Sequence, residues 1–581
     1  MEKKKIDPKV LAIATSWLEG NYDSQTKAAV KDMIDNNPDE LTDSFYRNLE
    51  FGTGGLRGII GAGTNRMNKY TVGMATQGLA NYIKKAMPGE KEYRAAIAFD
   101  NRLKSDYFAQ ITADVLSANG FKVFLFDELR PTPELSFAVR YLKCHTGVMI
   151  TASHNPKEYN GYKAYWNDGA QMVPPHDKNV IAEVEKIKIE DVKFKGVKKN
   201  IELIGDEIDE AYLSEIDKLS LSPVSNKRQA ELKIVYTPLH GAGVKLVPAA
   251  LKRYGFENVF RVNKQDINDP TFPTLHSPNP EEAAALEMAL DKARKVDADL
   301  VLATDPDADR VGVAIKDLND NFILLNGNQT AAIITYYLLT LWNKKGKLTG
   351  NEFIVKTIVT SELICDIAKK YKVECYDVLT GFKWIAEIIR NNEGKKTFIG
   401  GGEESYGFMI GDFVRDKDAV ATCVMMAEIS AWATNLGKTL FELLIDIYYE
   451  FGFYKENLIS ITKKGKAGAE EIQKMMENFR NNPPKEINKS NVMMIKDYLA
   501  GKAKDLVNNT ESEIKLPSSN VLQFFTADGT KISMRPSGTE PKIKFYFGVK
   551  GILKNKNNYE ELNKQLEEKI ENVIKALKLR D

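Results

Sequence analysis

Apolar and polar positions along this chain change period several times, and each change marks a stretch of secondary structure. After a helix-patterned leader that ends near Glu50, apolar runs such as Arg94-Ala95-Ala96-Ile97-Ala98-Phe99 and Lys122-Val123-Phe124-Leu125-Phe126 alternate with helix-patterned stretches such as 107–119. Short continuous apolar runs read as strands buried on both faces, and their alternation with helices predicts α/β units. A second series opens at Leu232-Lys233-Ile234-Val235-Tyr236 and ends with Ala298-Asp299-Leu300-Val301-Leu302-Ala303 and Val311-Gly312-Val313-Ala314-Ile315. A third begins near Asn326 and includes Phe353-Ile354-Val355-Lys356-Thr357-Ile358-Val359 and Thr397-Phe398-Ile399. From about Gly452 the pattern shifts to a Gly/Lys-rich bend, a helix-like stretch at 469–479, a Pro483-Pro484 break and the strand Lys531-Ile532-Ser533-Met534, which predicts a smaller α+β domain. The expected organisation is a helical leader at 1–50, α/β domains at 51–205, 206–322 and 323–451, and the α+β domain at 452–581. The apolar run 419–433 is too short to span a bilayer and contains Glu428, so it predicts a buried helix. The polar stretches 195–200 and 221–229 read as linkers.

Candidate chemistry sits in the loops that follow these strands. Gly147-Val148-Met149-Ile150 runs into Thr151-Ala152-Ser153-His154-Asn155-Pro156, which sets a hydroxyl in a tight polar turn. Serine is a weak nucleophile at its free pKa and needs a base, a metal ion or a phosphoryl group; a plain Ser/Asn/Pro turn is the alternative. Further on, Asp305-Pro306-Asp307-Ala308-Asp309-Arg310 places three carboxylates two residues apart between two apolar strands. In an extended segment such residues point the same way, so they converge and repel unless a hard divalent cation, here Mg²⁺, sits among them. A calcium EF-hand does not fit, because Arg310 and Lys316 stand where that loop needs Gly and Glu. Arg535-Pro536-Ser537-Gly538-Thr539-Glu540-Pro541 combines a guanidinium, two hydroxyls and a glycine N–H that can approach an anion, the makings of a phosphate cradle. Gly400-Gly401-Gly402-Glu403-Glu404-Ser405-Tyr406-Gly407 offers carboxylates and a hydroxyl suited to sugar hydroxyls. Phe51-Gly52-Thr53-Gly54-Gly55-Leu56-Arg57-Gly58 lacks dinucleotide-fingerprint spacing, but Arg57, a guanidinium on a glycine-rich loop, suits a phosphate or phosphoserine.

In this combination and order the motifs resemble the α-D-phosphohexomutases, and within them the longer bacterial phosphoglucomutases of the phosphoglucomutase/phosphopentomutase type, over Phe51 to Lys544. The resemblance implies a phosphoryl group on Ser153, Mg²⁺ held by Asp305, Asp307 and Asp309 beside Ser153, sugar contacts from Glu403 and Ser405, and substrate phosphate on Arg535, Ser537, Gly538 and Thr539. The family's T-G-x-K turn is matched by Thr380-Gly381-Phe382-Lys383 and its R-x-K-D segment by Arg415-Asp416-Lys417-Asp418, which adds Thr380, Lys383 and Lys417 as substrate contacts. Phe382 stands where some members carry a histidine. The implied fold is three similar α/β domains with mixed sheets plus a smaller C-terminal α+β domain, with the active site in the central cleft. The implied activity interconverts glucose 1-phosphate and glucose 6-phosphate through a phosphoserine enzyme and glucose 1,6-bisphosphate, which also serves as activator. Mannose, pentose or glucosamine phosphates are the alternative substrates. Moving a phosphate between two hydroxyls of one sugar is nearly thermoneutral, so no nucleotide is needed, and two anion sites are. Arg57, Arg310 and Lys163 are the cations expected near the transferring group. His154 is one candidate proton carrier; Lys163 is another if Arg310 and Arg57 lower its pKa.

Composition narrows the setting. The 581 residues, 43% of them hydrophobic, supply enough apolar surface for several cores. Lys and Arg number 81 against 80 Asp and Glu, and a net charge of +1 argues against a nucleic-acid footprint. The basic start Met1-Glu2-Lys3-Lys4-Lys5 precedes only the short apolar stretch 10–14 with no cleavage pattern after it, so no signal peptide is expected. Four scattered cysteines, Cys144, Cys365, Cys375 and Cys423, suggest reduced thiols in a cytoplasm. His145, His176, His240 and His276 show no metal-ligand spacing. The expectation is a cytoplasmic enzyme, monomer or homodimer, whose partners are small sugar phosphates and neither nucleic acid nor membrane.

Overall fold

In the computed structural model, which describes residues 6–50, 55–463, 465–537 and 542–580, the polar leader forms three helices, Pro8–Glu19, Ser24–Asn36 and Pro38–Phe45. Asp7, Asp23 and Asn37 cap their N-termini by accepting from backbone N–H groups one turn in. The helices bury Val10, Ala14, Trp17, Val30, Met33, Leu41 and Phe45 together with Tyr70. The chain divides into two units, residues 1–326, 382–394 and 405–436 in one and residues 327–381, 395–404 and 437–581 in the other.

The first unit carries two mixed sheets. One has six strands in the order Leu56–Ile59, Tyr159–Trp166, Thr146–Ile150, Tyr93–Phe99, Phe121–Phe126, Ile201–Ile204. Its middle is parallel, and Tyr159–Trp166 runs antiparallel to both neighbours. Thr146–Ile150 is buried over its whole length, which is why its sequence is continuously apolar instead of alternating. The other sheet has five strands in the order Phe322–Leu325, Val311–Lys316, Leu300–Thr304, Ile234–Thr237, Val259–Arg261. Leu300–Thr304 pairs parallel to Ile234–Thr237 and antiparallel to Val311–Lys316, so the acidic loop 305–310 is a connection between two core strands.

Helix Ala419–Asn435 is buried on all sides from Ala419 to Ala433, the environment its apolar sequence demands. Its one internal carboxylate, Glu428, accepts from Ser220 Oγ, Leu221 N at 2.7 Å, Ser222 N at 3.2 Å and Asn226 Nδ2 at 2.8 Å. The stretch 221–229, expected as a linker, is therefore ordered: it contains helix Pro223–Arg228, with Ser225 and Asn226 buried, because its donors meet the buried Glu428 carboxyl group.

In the second unit, Glu352–Thr357 pairs in parallel with Glu374–Val378 and Thr397–Gly402, flanked by helices Gly327–Lys344 and Leu363–Lys370. An eight-stranded sheet among the described residues follows, built from antiparallel pairs that include Phe453–Thr462 with Lys542–Gly551 and Lys531–Pro536 with its neighbours on either side. The architecture is three α/β domains and a further sheet-rich C-terminal domain, as the sequence pattern predicts. The expectation of four reduced thiols is corrected: Cys365 and Cys375 form a disulfide, while Cys144 and Cys423 are free and buried. Helix Leu363–Lys370 turns back into strand Glu374–Val378, which brings the two Cα atoms to 5.6 Å, within bonding reach. Among the described residues no single helix is long and apolar enough to cross a membrane.

Two stability predictions arise here. Glu428→Ala strips four donors of their acceptor and should cost about 3 kcal/mol, read by calorimetry as a lower first thermal transition. Burial pushes the Asp418 carboxyl, which caps the same helix, up to about 6. The folded chain then binds this proton more tightly than the unfolded chain between about pH 4 and 6, so the group's contribution is complete below that window and lost as pH rises through it. Asp418→Asn, neutral and still an acceptor, should gain up to about 3 kcal/mol over wild type at about pH 8 and little at about pH 4; an equal gain at both values contradicts this.

Candidate active site

The apolar strand Thr146–Ile150 ends in the serine turn, and Gly161 on the neighbouring strand lies so close that a Cβ there would stand 2.4 Å from the Thr151 carbonyl oxygen. Ser153 occupies the left-handed region, φ 53°, which costs a non-glycine residue about 1–2 kcal/mol and is sustained only by its surroundings. In that conformation Ser153 Oγ donates to Asp305 Oδ2 at 2.8 Å and lies 3.2 Å from His154 Nδ1. The hydroxyl of the first sheet thus meets the acidic loop of the second.

That loop is wound so that Asp305 Oδ1 accepts the backbone N–H groups of Asp309 and Arg310, both at 3.0 Å. The three aspartates are buried, and one carboxylate oxygen from each lies within 4.8 Å of the others. Lys163, from strand Tyr159–Trp166, stands 2.7 Å from Asp307 Oδ2 and 3.2 Å from Asp309 Oδ2. Lys417 stands 3.1 Å from Asp309 Oδ2 and from Asp416 Oδ1. Burial and the neighbouring carboxylates push the Asp305 carboxyl well above the usual range. Burial also works against ionisation of Asp307 and Asp309, but the Lys163 and Lys417 ammoniums overcome it and hold both below that range. Asp307 Oδ1 and Asp309 Oδ1 are buried without a hydrogen-bond partner. Buried orphan carboxylate oxygens beside a third carboxylate are the donor set of a hard divalent cation, and the residues fit one.

The other expected residues are distributed as follows. Arg57 lies on the strand Leu56–Ile59, paired with Gly161, and not on a glycine-rich loop; its Nη1 donates to Asn155 Oδ1 of the serine turn at 3.3 Å. Arg310 pairs with Glu281, and its Nε is 3.8 Å from Asp309 Oδ1. Burial, then the Arg310 and Arg57 cations, push the His154 pKa well below its ordinary value, so its imidazole is neutral. Lys163 departs from expectation: burial favours its neutral form, yet Asp307 and Asp309 raise its pKa. The adjacent carboxylates outweigh burial and the neighbouring Lys417 ammonium, which favours the charged form of Lys163. Lys417, expected as a substrate contact, is joined to the acidic loop 305–310 through Asp309. Lys383 Nζ is 3.4 Å from Asp177 Oδ2, with burial lowering its pKa. Ser405 is half-buried beside Tyr406, whose carbonyl accepts from Val311 N–H at 3.0 Å.

In the second unit, Glu403 is buried and its Oε1 accepts from Gly381 N–H at 2.8 Å, next to Thr380. Burial and the charge of Glu403 raise the Glu404 pKa. Arg535 is the penultimate residue of the strand Lys531–Pro536, and Ser537 N–H donates to the Lys542 carbonyl at 2.7 Å. Glu404, Arg535 and Glu403 all act on Tyr546, raised chiefly by burial. Gly538 and Thr539 lie outside the described residues.

Sequence reasoning passed over Asp100, Arg102, Thr132 and Tyr546. Thr132 donates to Asp307 Oδ2 at 2.9 Å and, through its N–H, to the Asp307 carbonyl at 2.8 Å. Asp100-Asn101-Arg102 directly after the buried strand Tyr93–Phe99 had a signal to offer: charged residues at a strand end inside a core.

Family models for phosphoglucomutase/phosphomannomutase α/β/α domains I, II and III match residues 48–191, 210–319 and 326–451. The chain belongs to the phosphoglucomutase/phosphomannomutase family. It is 37% identical over 529 residues to a phosphoglucomutase of Staphylococcus haemolyticus, covering 90% of this chain and 93% of that protein. It is 37% identical over 538 residues to a phosphoglucomutase of Staphylococcus aureus, covering 92% and 95%. Members of the family are isomerases of the phosphohexomutase type. The fold is similar to that of a phosphoglucomutase/phosphomannomutase family protein from Burkholderia thailandensis, with a TM-score of 0.64, 16% identity and coverage of 91% of this chain and 97% of that one. It is likewise similar to the open form of pp63/parafusin, a phosphoglucomutase from Paramecium, with a TM-score of 0.66, 17% identity and coverage of 91% and 96%.

Asp307→Asn removes one carboxylate and the strongest partner of Lys163. Divalent cation affinity, measured by titration calorimetry with Mg²⁺, should fall at least ~10-fold with the fold intact; unchanged affinity contradicts the metal assignment.

Proposed function

We propose that this protein is a phosphoglucomutase that interconverts α-D-glucose 1-phosphate and glucose 6-phosphate through a phosphoserine at Ser153 and a glucose 1,6-bisphosphate intermediate. The observation that carries this reading is Ser153 Oγ held 2.8 Å from a buried carboxylate that belongs to a cluster suited to a divalent cation. The naming of the staphylococcal relatives as phosphoglucomutases favours glucose over mannose, pentose or glucosamine phosphates.

In the forward step the phosphorus–Oγ bond of phosphoserine breaks as the free sugar hydroxyl bonds to phosphorus, and the proton that hydroxyl loses is matched by one gained on Ser153 Oγ, which leaves as the serine hydroxyl. In the return step Ser153 Oγ bonds to the other phosphate of the bisphosphate as the bond from that phosphorus to the sugar oxygen breaks; the released sugar oxygen gains a proton and the serine hydroxyl loses its own. His154, neutral and with Nδ1 3.2 Å from Oγ, is the group assigned to accept it. Phosphoryl transfer through a loose transition state depends on positioning and on cations around the equatorial oxygens. Lys163 is fixed at the aspartates, and Arg57 and Arg310 flank the serine turn; these supply that charge. Mg²⁺ bound by Asp305, Asp307 and Asp309 would add Lewis-acid neutralisation of the phosphoryl oxygens. Arg535, Ser537, Gly538 and Thr539 are assigned to the phosphate that is not reacting. Glu403 and Ser405 are assigned to sugar hydroxyls, and Thr380, Lys383 and Lys417 to the remaining substrate contacts.

Incubation with glucose 1,6-bisphosphate should place one phosphate on Ser153, located by peptide mass spectrometry, and glucose 1-phosphate should turn over faster than the mannose, ribose and glucosamine 1-phosphates. Ser153→Ala should lose turnover with an unchanged melting temperature. Phosphate at another residue, or mutase activity in that variant, defeats the reading; a different preferred sugar defeats only the glucose assignment.

A further inference from the structure

The metal cluster accounts for the convergence of three carboxylates, but not for what keeps the serine turn in shape while Ser153 sits in the left-handed region. The side chain that grips this turn's backbone is Arg102, 2% exposed. Its Nη2 donates to the carbonyls of Ser153 and Asn155, the latter at 2.6 Å, and its Nη1 to those of Pro156 at 3.0 Å and Tyr159 at 3.2 Å. Its Nε faces Asp100 Oδ2 at 3.3 Å. Asp100 Oδ2 accepts from Thr151 Oγ1 at 2.7 Å, and Thr151 Oγ1 accepts from Ser153 N–H at 2.8 Å. Ser153 is thus tied on both sides: its N–H through Thr151 to Asp100, its carbonyl to Arg102, with the Asp100–Arg102 pair closing the ring. Phe272 covers the guanidinium, whose Cζ is 5.4 Å from the ring centroid, and is itself buried. From the same segment Ser277 Oγ reaches the His154 carbonyl at 3.4 Å.

Inward-facing carbonyls each need a donor, and these four, three from the turn and one from the start of the strand Tyr159–Trp166, of which Pro156 also accepts from Tyr159 N–H at 3.0 Å, converge on one place. A planar guanidinium serves all four from a single fixed fork while its third edge meets Asp100. A lysine ammonium offers three donors from one point on a flexible stem and cannot reproduce that pattern.

We propose that Arg102, steadied by Phe272 and Asp100, is a positioning residue for phosphoryl transfer: it fixes the serine turn in the backbone conformation that points Ser153 Oγ at Asp305. The proposal rests on the phosphoserine reading of Ser153. Arg102 contacts no reacting atom, so its loss disturbs the placement of Oγ and not the binding of sugar phosphate. Misplacement of a reacting group by about 1 Å costs on the order of 100-fold in rate.

The test compares wild type with Arg102→Lys and Phe272→Leu, both with Mg²⁺ present. Steady-state kcat and KM are measured on glucose 1-phosphate, and transfer of phosphate from glucose 1,6-bisphosphate to Ser153 is followed by rapid quench and mass spectrometry. For Arg102→Lys, kcat and the single-turnover transfer rate should fall together by ~100-fold with KM within about threefold of wild type, and for Phe272→Leu by ~10-fold. Either folded variant working at the wild-type kcat overturns the proposal, as does a raised KM at unchanged kcat. If Arg102→Lys does not fold, Phe272→Leu decides alone, since leucine keeps apolar volume over the guanidinium and removes only the ring face. A wild-type enzyme that never carries phosphate on Ser153 is the failure of the proposed function; a wild type that does, with variants that match its rate, is the failure of this inference alone.

Discussion

Three carboxylates forced together in a dry interior are the constraint around which the first unit is arranged. Asp305, Asp307 and Asp309 are each at most 2% exposed. Two unit charges 4 Å apart near a protein surface interact by about 4 kcal/mol, so the triad is tolerable only with positive charge and hydrogen-bond donors brought to it. The chain brings them from far apart in sequence: Lys163 from a strand of the first sheet, Lys417 from the segment before a buried helix, Thr132 from a helix N-terminus and Ser153 from the serine turn. Each donor therefore also ties its own element to the metal loop. Two carboxylate oxygens, Asp307 Oδ1 and Asp309 Oδ1, stay without a hydrogen bond, which suits them to a divalent cation.

The serine turn depends on a second kind of closeness. Gly161 is needed because the Thr151 carbonyl passes where a Cβ would be, and Gly241 because a Cβ there would stand 2.4 Å from Pro306 Cα of the metal loop. Ala242 N–H donates to the Pro306 carbonyl at 2.8 Å, so the turn after strand Ile234–Thr237 braces the acidic loop by backbone alone. Charge attraction assembles the site, and backbone packing with Arg102 and Asp100 gives it precision. Electrostatic effort of this kind matters for phosphoryl transfer, where little covalent work is left for the protein beyond holding charges in place.

The second unit uses ion pairs differently. Lys356 is fully buried between Asp377 at 2.7 Å and Glu362 at 3.1 Å, and Glu362 also pairs with Lys531, the first residue of the strand Lys531–Pro536 that carries Arg535. Breaking such a buried pair leaves an uncompensated charge, which is costly even where the intact pair adds little net stability. The network links the start of helix Leu363–Lys370 to the strand that carries Arg535, just as Glu403 Oε1 is linked to Gly381 N–H, next to Thr380.

Much of this was legible in the residues alone. Continuous apolar runs located the buried strands because a strand covered on both faces cannot alternate, and the Asp-x-Asp-x-Asp spacing raised the expectation of positive charge because like charges at that separation repel. A serine after a buried strand was visible for the same local reason. What local pattern could not carry was every pairing across long sequence separation. Arg57 proved to be a strand residue because its partner strand lies about a hundred residues away. Lys163 has its pKa raised and not lowered because two aspartates from another sheet stand beside it. Lys417 joined the metal loop, 221–229 folded onto Glu428, and Cys365 met Cys375 across a helix–strand turn. The sequence determined which chemistries were available and where strands would end, since those follow from residue type and short-range period. Tertiary structure alone decided which charges face one another, and so the direction in which each group's pKa is pushed, because Coulomb interaction depends on distance in space and not on distance along the chain.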